Sequence, residues 1–126
     1  MKQWIVVIAA LAMATGCGKG LRTDYGKPAA QFLAADVAAK GLGFVGQKIS
    51  VKGTVTGVDA SDPDHAIVTL EQGIRCDFGD LSAMARSRSE GTVAVVDGIL
   101  ERCAPGDILI KPALYRDPSA PFVPTP

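Results

Sequence analysis

Lys48-Ile49-Ser50-Val51-Lys52-Gly53-Thr54-Val55-Thr56 decides how this chain folds. Ile49, Val51 and Val55 fall on one parity, and Ser50, Lys52, Thr54 and Thr56 on the other. A period of two sends the apolar set to one face of a pleated strand and the polar set to the other. Gly53 and Gly57 interrupt the pattern, as expected where a strand bulges or bends at a barrel corner.

Outward from this strand, Asp59 to His65 reads as a turn-rich loop. Ala66 to Glu71 predicts a second strand, Gln72-Gly73 a tight turn, and Ile74 to Phe78 a third strand in hairpin with the second. Ile74, Cys76 and Phe78 then share one face, and Arg75 and Asp77 the other. Asp80 is placed to cap a short helix from Leu81 to Ser87, with Leu81, Met84 and Ala85 turned inward. Thr92 to Arg102 predicts a long strand broken at Gly98, Ala104-Pro105-Gly106 a turn, and Asp107 to Tyr115 the last strand. Upstream, Pro28 suits the first turn of a helix and Gly41 its end, with Phe32, Leu33, Val37 and several alanines as its packing stripe. Downstream, four prolines in Asp117 to Pro126 predict a loose extended tail. The predicted fold is mainly β: a five-stranded OB-like Greek-key barrel with an N-terminal helix and a short helix between strands three and four.

The N-terminus has a different character. Met1-Lys2-Gln3 is short and basic, and Trp4 to Ala14 then runs through 11 residues without a polar side chain. A helix needs about 20 apolar residues to span a bilayer, so this length fits the h-region of an export signal. Ala14-Thr15-Gly16-Cys17 follows, and small residues before a cysteine resemble the bacterial lipobox, in which the thiol is acylated and the chain is cut before it. The position three before the cysteine is usually a branched aliphatic, and here it is Ala14. The alternative is an ordinary secretory signal cut nearby, with Cys17 a spare thiol. Gly18 stands where Asp retains Gram-negative lipoproteins in the inner membrane, so the lipobox resemblance implies an outer-membrane lipoprotein facing the periplasm. The organisation expected is a signal over 1–16, a tether over 17–27, the barrel domain over 28–116 and a Pro-rich tail over 117–126.

The chain carries 13 basic and 13 acidic residues. Loss of the first 16 residues removes one of these, Lys2, leaving 12 against 13 and a net charge of −1. No basic run exists to displace counterions from phosphates, and an exported address adds to the case against nucleic acid as a partner. Cys76 and Cys103 remain after Cys17. An oxidising compartment permits a disulfide, which would close a loop of about 28 residues at about 3–4 kcal/mol; two separate buried thiols is the other reading. Two cysteines and one histidine fall short of a four-ligand zinc site. No metal or cofactor is expected.

Phe44-Val-Gly-Gln-Lys-Ile-Ser-Val-Lys-Gly-Thr-Val55 resembles the opening strand of the tRNA_anti-like OB-fold family, an aromatic-x-Gly-Lys start leading into an alternating strand behind a helix. Ile74-Arg-Cys-Asp-Phe78 is similar to its third strand and Gly91-Thr-Val-Ala-Val-Val-Asp-Gly98 to its fourth, so the likeness runs from about Pro28 to Tyr115. Members often carry a second cysteine late in the last strand; Lys111-Pro-Ala-Leu114 has none. The resemblance implies a shared shape rather than a shared ligand.

Candidate sites follow from that shape. OB barrels bind ligands on the outer face of strands two and three and adjoining loops. Thr69, Arg75 and Asp77, with Lys52 and Thr54 beside them, would offer an anionic or sugar-like ligand a polar face there; an ordinary solvated sheet face has the same composition. Asp59, Asp62, Asp64 and His65 crowd one loop but lack the glycine and terminal glutamate of a calcium loop, which favours a solvated hairpin loop. Asp97 near Glu101 offers a further carboxylate pair, and bulged strands carry such pairs for solubility as well. Phe78 has core parity, leaving Tyr115 as the one ring expected to be exposed, too few for stacking bases. No nucleophile motif or phosphate-cradling loop is present, so no catalytic residue is expected. The functional expectation is a membrane-anchored periplasmic binding module for a ligand or protein, with a structural or assembly role in an envelope complex as the alternative.

Overall fold

The structure, a computed structural model, describes residues 27–126; the signal, Cys17 and nearly all of the tether lie outside the described residues. Six strands, β1 (Ala30–Leu33), β2 (Lys48–Asp59), β3 (Ile67–Leu70), β4 (Ile74–Asp77), β5 (Val93–Ala104) and β6 (Asp107–Tyr115), are joined by two helices, α1 (Ala34–Lys40) and α2 (Ser82–Ala85). Strand β2 pairs antiparallel with both β3 and β5, which closes the ring β2-β3-β4-β6-β5. The contact between β4 and β6 is parallel and every other contact in the ring is antiparallel. This is the five-stranded OB-like barrel, with β1 as an extra strand parallel to β2.

The opening strand behaves as its alternation requires. Ile49, Val51 and Val55 are fully buried with Val68, Leu70, Ile74, Cys76, Val96, Leu100 and Ile110. The register shifts between Val55 and Gly57, the expected bulge. Gly53 has another role: a Cβ there would lie 2.7 Å from the Cβ of Ala34, so its absence lets the start of α1 sit against β2.

Three expectations need correction. Residues 30–33 form β1 rather than the first turn of a helix. Ala30 and Phe32 point inward at a period of two, and Phe32 packs edge-on against Phe44 at 5.5 Å. Backbone pairing along the edge of β2, with burial of Phe32, overrides the modest helix preference of alanine. The helix begins only at Ala34 and ends, as expected, at Gly41, whose N–H donates to the Val37 carbonyl. The short helix is capped by Leu81 without a side-chain bond, and Asp80 does not cap it. Leu81 and Met84 are exposed and only Ala85 is buried, because one turn against β6 has room to bury one small side chain.

The tail is the third. Thr125 N–H donates to the Gln31 carbonyl at 2.7 Å, and Gln31 N–H donates to Thr125 Oγ1 at 2.9 Å. Pro121 accepts from Arg116 Nη2 at 3.3 Å, and the Phe122 ring lies under Lys52 Nζ at 5.7 Å. The outer edge of β1 offers unpaired backbone groups, and the tail satisfies one residue's worth of them. Pro124 and Pro126 flank Thr125 and have no N–H, so neither can donate a further bond to that edge.

Candidate functional site

The hairpin of β3 and β4 sets Thr69 opposite Arg75, and the parallel neighbour β6 begins at Asp107. Arg75 Nη2 donates to Asp107 Oδ1 at 3.0 Å. From β5, Arg102 Nε donates to both oxygens of the same carboxylate at 3.1 and 3.2 Å, and Glu101 lies 3.7 Å from Arg102 Nη1. All four charged side chains are close to half exposed. Two guanidinium groups therefore share one carboxylate on the open surface where β4 meets the β5–β6 turn.

The five expected face residues do not assemble into one patch. Thr69 and Arg75 are neighbours. Lys52 lies between Leu33 and Val95 and under the tail's Phe122. Thr54 pairs with Val93, and its N–H donates to Glu71 Oε2 at 3.1 Å. Asp77 corrects its expected position: it is buried, accepts from Gly79 N–H at 2.8 Å and pairs with His65 Nδ1 at 3.0 Å. The loop before β3 folds back over the end of β4 and covers a carboxylate that strand parity alone turns outward.

The rest of that loop bonds to itself. Asp59 accepts from the hydroxyl and N–H of Ser61, and Asp62 accepts from the N–H of Asp64. The two Ser61 bonds, the hydroxyl's first, hold the Asp59 carboxyl below its ordinary pKa. Among the described residues no three metal-ligating side chains converge.

Asp97 and Glu101 are not partners. Asp97 is buried, accepts a hydrogen bond from Ser50 Oγ, and receives Arg116 Nη1 at 3.1 and 3.3 Å. Arg116 Nη1 also reaches Ser50 Oγ at 3.2 Å, while its buried Nε has no partner. This trio fastens the end of β6 to β2 and β5 and, through Pro121, starts the tail's return path.

Cys76 and Cys103 are free thiols. Cys76 sits inside the barrel between Val68 and Ile110, where burial pushes its thiol pKa far up. Cys103 lies under α1, its Sγ donating to the Val37 carbonyl at 3.5 Å. Tyr115, expected to be exposed, is buried: it stacks edge-on with Phe78 at 4.7 Å and donates to the Ala85 carbonyl at 3.0 Å. Burial raises its pKa, against the opposing charge of Arg88 over its ring.

No family model and no curated protein matches the chain.

The sequence reading missed the partners of Arg75. In the sequence Asp107 opens the last expected strand and Arg102 ends the one before it, and only closure of the ring brings them beside β4. It also missed a cleft of about 330 Å³ lined by Val58, Ala60, Arg86, Arg88, Ser89 and Glu90. The Arg86-Ser-Arg88 doublet was the one available signal for it.

Proposed function

We propose that this chain is an exported lipoprotein, acylated on Cys17, whose OB-like barrel is a binding module of the tRNA_anti-like type. Its binding surface is the open face around Thr69, Arg75, Arg102 and Asp107. The observation that carries this reading is the sharing of one exposed carboxylate by two arginines. Exposed ion pairs contribute only about 0–1 kcal/mol, so an anionic group on a ligand can replace Asp107 at little cost and meet two donor forks already aimed together. OB barrels use this part of their surface for ligands.

The test is a thermal-shift screen of the full chain against anionic oligosaccharides and acidic peptides. A ligand that raises Tm in the parent and not in Arg75→Ala, with the unliganded Tm unchanged, supports the reading. Failure of every ligand, or an early-melting Arg75→Ala, counts against it. Intact mass of the protein from its own membranes tests the anchor: an acylated chain beginning at Cys17 is expected.

Exposure of Leu42 and Val45 just beyond α1 favours the second reading, an assembly role in an envelope complex. These side chains form an apolar shoulder that the barrel's own core does not use. Cross-linking in intact cells separates the two: a stable large complex lost in Leu42→Ser favours assembly.

A further inference from the structure

We infer that the cleft between the end of β2 and the Arg86–Glu90 segment is a second binding site, built for a small ligand that carries an oxyanion, phosphate or carboxylate, on a compact apolar body. The described residues include five arginines. Three have aspartate partners: Arg75 and Arg102 share Asp107, and Arg116 holds Asp97. Arg86 and Arg88 form no ion pair with any described residue, and both line this one cleft. Their hydrogen bonds are long and to neutral oxygens, Arg86 Nη2 to the Ala60 carbonyl at 3.5 Å and Arg88 Nη1 to Ser87 Oγ at 3.3 Å. Donor capacity for an anion is therefore unspent on both.

The arrangement is also partly fixed in advance. The Arg88 guanidinium lies 4.9 Å from the centre of the Tyr115 ring. That ring is held at its hydroxyl by Ala85 and on its side by Phe78. A stacked guanidinium loses less freedom when it binds a planar oxyanion than a free one does. Glu90 is the one acid in the lining and pairs with neither arginine, so the lining carries a net single positive charge. Val58 and Ala60 supply an apolar wall. A volume of about 330 Å³ sits at the small end of the range for small-molecule sites, enough for a compact body and its charged head. The oxyanion can come from a diffusible molecule or from a lipid headgroup; both present the same chemistry to the two arginines.

The experiment follows the arginine Nε–Hε resonances of the full chain during titration with inorganic phosphate and with phenyl phosphate. Expected are saturable shifts at Arg86 and Arg88, with phenyl phosphate bound several-fold more tightly because its ring meets Val58 and Ala60. Arg86→Gln and Arg88→Gln should each weaken phenyl phosphate by about tenfold or more, as loss of one charge-assisted fork implies. Arg86 is exposed, so Arg86→Gln keeps the parent Tm even if the Arg88 variant loses packing on Tyr115. Lys40→Gln, which removes an exposed cation outside both surfaces, should leave this affinity unchanged. Sedimentation with phosphatidylglycerol vesicles beyond that with phosphatidylcholine vesicles, lost in Arg86→Gln, assigns the oxyanion to a headgroup. Saturation by the soluble probe without that difference assigns it to a diffusible ligand. Linear shifts at all arginines, shifts confined to Arg75 and Arg102, or no response to either source overturns the site.

Discussion

Replacing Asp97 by alanine tests how the barrel is fastened at the end of β6. The Asp97 carboxylate accepts from Ser50 Oγ and twice from Arg116 Nη1, and the two charged side chains are only 11% and 13% exposed. Asp97→Ala leaves the Arg116 guanidinium near the interior with its counter-charge gone and its Nε already without a partner. Removing one member of a fully buried pair costs about 3–5 kcal/mol, and the residual exposure here places the loss near about 3 kcal/mol. For a domain of this size that lowers Tm by about 12 °C or more. Urea unfolding followed by circular dichroism measures it directly as a fall in midpoint at constant slope. The double variant Asp97→Ala/Arg116→Met should recover much of the loss, because no uncompensated charge remains. A loss below about 1 kcal/mol for Asp97→Ala, in the range of exposed pairs, would refute the assignment of this trio as a buried fastener.

Gly98→Ala should cost about 1–3 kcal/mol or prevent folding, since its Cβ would overlap the Pro112 carbonyl oxygen and the Ile110 methyl and press on Ala113 at 3.1 Å; a parent-like urea midpoint would contradict this. Burial keeps the Cys76 thiol protonated in the folded barrel at pH values where the unfolded chain ionises. The thiol's contribution is therefore complete below about pH 8.5 and is lost above it at about 1.4 kcal/mol per pH unit, a slope that Cys76→Ala should abolish in urea midpoints taken between pH 8 and 10. The same burial predicts that a thiol reagent labels Cys103 in the native protein and Cys76 only on unfolding. Truncation after Ala120 should speed hydrogen exchange at the Gln31 amide, whose acceptor is Thr125 Oγ1, and leave exchange at Val51 unchanged.

Where backbone pattern and burial agree, the fold was legible in the sequence. Alternation across Lys48 to Thr56, the Gln72-Gly73 turn and the Ala104-Pro105-Gly106 turn set the strands and hairpins of the barrel, and β6 spans Asp107 to Tyr115 as expected. Local signals misled where tertiary pairing competed with propensity. Ala-rich residues after Pro28 read as helix, yet the edge of β2 and the pocket for Phe32 made four of them a strand. The tail's prolines implied an unbound extended segment, with nothing local to show that Gln31, some ninety residues earlier, would receive Thr125. The site was only half legible. Strand parity put Thr69 and Arg75 together correctly but could not anticipate that His65 would cover Asp77. Asp107, Arg102 and the Arg86–Arg88 cleft depend on contacts far apart in the chain, which no period in the sequence encodes.

The bond between Thr125 and Gln31 also means that the two ends of the described chain abut. A short glycine-rich bridge from Pro126 to Lys27 would close the backbone into a circle without disturbing a strand. New ends could then be opened at the exposed Pro105-Gly106 turn. Such a permuted barrel would hang from the turn beside Asp107 rather than from the start of β1. The point of attachment would then sit beside Asp107, so the orientation of the barrel becomes something an experimenter can choose.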